Sequence, residues 1–209
     1  MTHFARIFGS IVLGMSAMTT ASAQPVSAGQ VFSGPLINIR SPQADGWRMV
    51  RSSPAGMVFA SKGIRPEDSY VAAVNFFSLE STPSADALVA LIKREAEDGM
   101  SKQRFEVIEN KFEYSDLRAY PCVRMTSVVN DKNAATGLFS RTELKLETRA
   151  LYCRHPQKQE NGFSIVFSHR GETLDAEFDG KAQMFIEGVN VPGDEQPNQP
   201  LQPTASDGG

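Results

Sequence analysis

Residues 142–154 read TELKLETRALYCR. Leu144, Leu146, Ala150 and Tyr152 fall on one side of this stretch; Lys145, Glu147, Arg149 and Cys153 fall on the other. Side chains of an extended chain alternate between two faces, so this period of two predicts a long β-strand. Upstream, residues 120–130 (YPCVRMTSVVN) predict a second long strand, with Val123, Met125 and Val129 on its apolar side. Cys122 belongs to the other side, with Tyr120, Arg124 and Thr126. Downstream, residues 163–167 (FSIVF) are apolar enough for the centre of a sheet. Polar loops at 130–137 and 155–162 separate the three, which argues antiparallel neighbours.

Earlier in the chain, residues 46–51 and 57–60 predict a hairpin around the turn Ser53-Pro54-Ala55-Gly56. Residues 70–79 (YVAAVNFFSL) follow as a strand apolar on both faces. The period then changes. Ala85, Leu88, Val89, Ile92 and Ala96 recur at helical spacing, with Thr82 before Pro83 as the expected N-cap and Gly99 as the C-cap. Its outward charges, including Lys93–Glu97 and Arg94–Asp98 four apart, predict a solvated face. Residues 105–109 predict a strand that pairs with a segment around 111–114. Leu174, Phe178, Phe185 and Val189 predict a second helix over about 174–188, weakened at Gly180 by about 1 kcal/mol relative to alanine. The expected order is β-β-β-α-β-β-β-β-α. The expected class is α+β, a mainly antiparallel sheet of six to seven strands carrying two amphipathic helices.

The two ends of the 209-residue chain read differently. Residues 1–23 have the pattern of a secretory signal peptide: Arg6, a short apolar run over 7–18, then Ala21-Ser22-Ala23 as a cleavage site. The run is too short to span a bilayer, so no stable membrane insertion is expected after cleavage. Residues 24–44 are poorly periodic, with three prolines, and read as an N-terminal extension whose 31–32 and 36–39 segments could add an edge strand. Residues 192–209 (PGDEQPNQPLQPTASDGG) are expected to be a disordered tail, because almost nothing apolar offsets the entropy of ordering. One domain over 45–191 remains, and the expected location is periplasmic or secreted.

Composition excludes several functions. Without Arg6, 20 basic residues face 24 acidic ones, and no run of five like charges occurs, so nucleic acid is not an expected partner. Two cysteines cannot make a four-cysteine zinc site. Cys122 and Cys153, on adjacent antiparallel strands of an exported chain, predict one disulfide. Closing that 32-residue loop stabilises by about 3–4 kcal/mol in the chain-entropy picture. No C-x-x-C, H-E-x-x-H, G-x-S-x-G or phosphate loop is present. His155 and His169 flank the last hairpin and read as two surface histidines too far apart to share a metal. Glu143, Lys145, Glu147 and Arg149 alternate in sign and read as a solvated cross-strand ladder. Trp47 reads as a core anchor. No catalytic residue, cofactor or metal site is expected.

Gly46-Trp47 at a strand start, the Pro54–Gly56 turn, Met57-Val58-Phe59, the leader and the element order together resemble the PsbP-like fold family. The resemblance covers about residues 42–191. It implies a small exported domain with an accessory or binding role, and it carries over no functional residue. The cysteine pair departs from that family's pattern. The function expected is a non-enzymatic binding or assembly-accessory protein of the cell envelope, with an unidentified envelope protein or small ligand as partner. The alternatives are a hydrolase whose site is assembled from scattered residues, and an envelope structural protein.

Overall fold

Long alternating segments pair with their sequence neighbours in the computed structural model, which describes residues 23–135 and 141–193. All but the last residue of the expected leader over 1–23 and the expected tail beyond 193 lie outside the described residues, as do residues 136–140 of the loop before residue 141. Eleven strands and two helices follow in the order β1 Gln24–Pro25, β2 Val31–Ser33, β3 Asn38–Arg40, β4 Arg48–Ser53, β5 Gly56–Lys62, β6 Ser69–Ser78, α1 Ala85–Asp98, β7 Phe105–Ser115, β8 Cys122–Ala135, β9 Arg141–His155, β10 Lys158–Gly171, α2 Phe178–Glu187 and β11 Val189–Asn190.

These elements correct the expected class. The protein is mostly β, with eight strands in one antiparallel sheet ordered β1-β4-β5-β6-β10-β9-β8-β7 and three more in a small sheet ordered β11-β3-β2. Its helices are only 14 and 10 residues long. The expectation of six to seven strands fell short for two reasons. Short strands of two or three residues carry no readable period, and they are fixed by their partners: Val189 pairs with Ile39, and Phe32 with Ile39 on its other side. The second helix was read too long, because Asp175 turns the chain, its carbonyl accepting from the Phe178 amide. The expected extension is therefore folded into the domain.

Both faces of the large sheet are covered. On one face α2 and the small sheet enclose Trp47, Phe59, Ala72, Val74, Leu151, Phe163, Ile165 and Phe167 with Ile37, Ile39, Phe178, Phe185, Val189 and Val191. On the other face Leu88, Leu91, Ile92 and Ala96 of α1 pack on Val123, Met125, Ala150, Tyr152 and Val166. Fully burying such aliphatic side chains is worth roughly 1.5–3 kcal/mol each. The N-cap of α1 is Ser84, whose Oγ accepts from the Ala87 amide at 3.2 Å, rather than the expected Thr82. The expected turn before Gly56 forms, and glycine is required there: its φ is +145°, and a Cβ would lie 2.2 Å from the Val74 carbonyl oxygen.

Candidate functional site

The β9–β10 hairpin, the 79–85 segment leading into α1 and the 119–121 segment before β8 enclose an open groove of about 870 Å³. Tyr114 stands at its rim, half exposed on β7. Pro83, Pro121 and Pro156 stiffen its walls, and Leu88 and Tyr120 supply an apolar floor. The disulfide joins Cys122 to Cys153, which lie directly opposite each other on β8 and β9. Each cysteine adjoins a groove residue, Pro121 and Arg154, so the bond fixes two walls just inside the rim.

Four polar side chains of the groove are committed to its shape, while those of Glu80 and Glu160 line it exposed. Arg154 donates from Nη1 to the Gln159 carbonyl and from Nη2 to the Glu80 carbonyl, the latter at 2.6 Å, and to Thr82 Oγ1 at 3.2 Å. One guanidinium thus ties the hairpin to the segment entering α1, and burial pulls its pKa down. His155 is fully buried. Its Nδ1 accepts from the Gln157 amide at 3.2 Å, which leaves Nε2 to donate to the Leu36 carbonyl at 3.0 Å. The Ser84 hydroxyl caps α1 and that of Thr82 accepts from Arg154.

At the other end of β10 lies a buried polar cluster. His169 continues the face of Phe163, Ile165 and Phe167, and α2 covers it. Its Nδ1 meets Glu147 Oε1 at 2.8 Å, and Nε2 faces Asp68 Oδ1 at 3.9 Å. Glu147 Oε1 also accepts from the Asp175 amide at 2.7 Å. Tyr70 stacks on the imidazole at 4.6 Å between centroids and donates its hydroxyl to Asp175 Oδ2 at 2.8 Å. Lys181 donates to the same oxygen at 2.8 Å. Burial and the Asp175 hydrogen bond push the Tyr70 phenol up to about 12. For Asp175, burial acts upward, but hydrogen bonds from Lys181, the Glu177 amide and Tyr70 outweigh it and hold the carboxyl below its usual range. Gly171 leaves room for this cluster, since a Cβ there would lie 2.3 Å from Asp68 Oδ1.

Two sequence expectations are corrected here. His155 and His169 are buried rather than on the surface, at 0% and 2% exposure. Glu147 is no rung of a solvated ladder but a buried acceptor at 4% exposure. The side of β9 read as polar faces the larger core, because α2 packs on that face and the small sheet contributes to the same core cluster. Alternation held the clue for His169, three positions along the face of two phenylalanines and an isoleucine. Asp68 and Asp175 gave no periodic signal, because both sit in loops. Among the described residues, no group of three His, Cys, Asp or Glu side chains could hold a metal ion. No described helix is long and apolar enough to cross a membrane. No family model matches the chain, and no curated protein matches it.

Proposed function

We propose that the protein is an exported, non-enzymatic binding or assembly-accessory protein of the cell envelope, and that the open groove beside the disulfide receives its partner. The observation that carries this reading is the state of four polar side chains in the groove. Arg154, His155, Ser84 and Thr82 are each spent on holding the walls. A wall so fixed suits recognition, where preorganisation lowers the cost of binding. Acid–base turnover in the groove would fall to the exposed Glu80 and Glu160 carboxylates, and no hydrogen bond or ion pair orients either side chain among the described residues. The buried polar cluster is enclosed between β6, β9, β10 and α2, which favours a structural role for it over a catalytic one. The buried disulfide suits an oxidising compartment, and the leader-like residues 1–23 point to the periplasm or the exterior. An accessory role is also what the resemblance to PsbP-like domains implies.

Site-specific photocrosslinking tests the reading. A crosslinking side chain at Tyr114 or Glu160, both on the groove, is expected to trap one reproducible partner in intact cells. The same probe at Ile64, fully exposed and outside the groove, is expected to trap none. Equal labelling from all three positions, or turnover of an ester or amide substrate that a groove substitution abolishes, overturns it.

A further inference from the structure

A second, smaller concavity of about 290 Å³ lies between α2 and the exposed end of the large sheet. Three arginines line it from three parts of the chain: Arg118 before β8, Arg124 on β8 and Arg149 on β9. Their situations differ. Arg118 is structural, with Nη2 donating to the Ile186 and Val189 carbonyls at 2.8 and 2.9 Å, where it holds the C-terminal end of α2. Arg149 lies over the Phe178 ring at 5.4 Å and pairs with Asp179 Oδ1 at 2.8 Å. Arg124 is exposed, and no hydrogen bond or ion pair holds it among the described residues. The acid opposite it on β7, Glu113, is taken by Lys111 at 2.8 Å.

The sheet register makes Arg124 and Arg149 neighbours. Arg124 faces Leu151 and Thr126 faces Arg149 across β8 and β9. Alternation puts Arg124, Thr126 and Arg149 on one face, with the two guanidinium-bearing residues on a diagonal that long side chains span. Leu117, half exposed, and Ile186 and Ala182 give the same cleft an apolar wall. Among the described residues Arg149 also donates to the Thr148 carbonyl at 3.2 Å, and its ion-pair partner Asp179 has a side chain 76% exposed, open to displacement by water. Guanidinium pairs recognise carboxylates through planar, parallel donors, and a cleft of this size is at the small end of ligand sites.

We propose that this cleft binds a small carboxylate with a short apolar body. The carboxylate bridges Arg124 and Arg149, with Thr126 between them, and the apolar body lies on Leu117 and Ile186. In the free protein the Asp179 carboxylate stands in for that of the ligand on Arg149, and binding displaces it to solvent. The site is distinct from the groove and its occupancy does not depend on what the groove receives.

Straight-chain carboxylates from acetate to octanoate, with the matching primary amides, are the probes. Titration of the full-length protein is followed by the NMR shifts of the Arg124 Nε–H and the Thr126 amide. Affinity is expected to rise with chain length until the cleft is filled, and the amides are expected to leave both signals unmoved. Arg124→Gln is expected to weaken binding about tenfold, the usual scale for losing one charge-assisted contact. Asp179→Asn is expected to tighten binding, since it removes the internal competitor from a largely exposed position. Amides that bind like the acids, an affinity independent of chain length, no shift with any probe, or an Asp179→Asn protein that binds more weakly would each overturn the proposal.

Discussion

Glu147 has no water to fall back on. Its Oε1 serves both the His169 imidazole and the Asp175 amide, so it joins β9, β10 and the turn entering α2 through one atom. Removing one partner from a buried polar pair leaves the others desolvated without compensation, which costs about 3–5 kcal/mol for charged groups. Glu147→Ala is therefore expected to lower stability by about that amount in urea titration, and Glu147→Gln, which keeps an acceptor, by clearly less. Next to it, Tyr70 makes stability fall in alkali. Its phenol titrates near 12 in the folded protein and near 10 in the unfolded chain. The unfolded chain ionises first, so stability contributed below pH about 10 is lost as pH rises towards the folded value. For Lys181 burial acts downward, but hydrogen bonds to Asp175 and Glu177 and the charges of Tyr70 and Asp175 together outweigh it and raise the ammonium, which acts in the same direction. Urea midpoints measured through that range are expected to drop in the wild-type protein, and less steeply in Tyr70→Phe. At this scale the sequence was half legible. Alternation assigns Glu147 and His169 to the correct face of each strand, but the cover that buries the face comes from α2, remote in sequence.

The disulfide shows what an element-level reading can and cannot reach. Two long alternating strands with one cysteine each are sufficient to place Cys122 opposite Cys153, and the pair is directly opposed in the sheet. Thr82 was misread at the same scale. Its hydroxyl belongs to Arg154 from a different strand, and the neighbouring Ser84 takes the capping role. Local capping rules choose between adjacent hydroxyls only when nothing tertiary competes for one of them. Opening the disulfide releases a loop of 31 residues' separation in the unfolded state. Cys122→Ala combined with Cys153→Ala is expected to cost about 3–4 kcal/mol, seen as a lower urea midpoint with far-UV circular dichroism unchanged in dilute buffer. The β8–β9 ladder runs well beyond the bond, so pairing survives its loss. Intact mass of the wild-type protein is expected to rise by two hydrogens on reduction. No mass change, or an undiminished midpoint in the double variant, would contradict the role given to the bond.

For the whole molecule, the decisive segment is the one that reads least like structure. Residues 24–44 have three prolines and strands of two or three residues, too short for a period of two to be visible. Yet Ile37 and Ile39 are buried against Phe59, Phe185 and Val189, and the Leu36 carbonyl accepts from His155 at the groove. β3 is the centre of the small sheet, paired to β2 on one side and to β11 after α2 on the other. Without this segment, β11 loses its one strand partner among the described residues, and Phe59 and Phe185 lose the isoleucines that cover them. The same segment accounts for most of the shortfall in the expected strand count, since three of the eleven strands belong to it. Ile39→Ala is expected to cost about 2–5 kcal/mol, the range for deleting a buried aliphatic side chain. A chain starting at Asp45 is expected to lose more than that single substitution, because it removes both isoleucines and exposes the rings they cover. Urea titration and binding of a dye that lights up on apolar surface measure both variants. The truncated chain is expected to bind the dye in buffer, whereas Ile39→Ala binds it only as it unfolds. A truncated chain with the wild-type midpoint would show that residues 24–44 are an appendage, and that the large sheet with α1 and α2 is sufficient by itself.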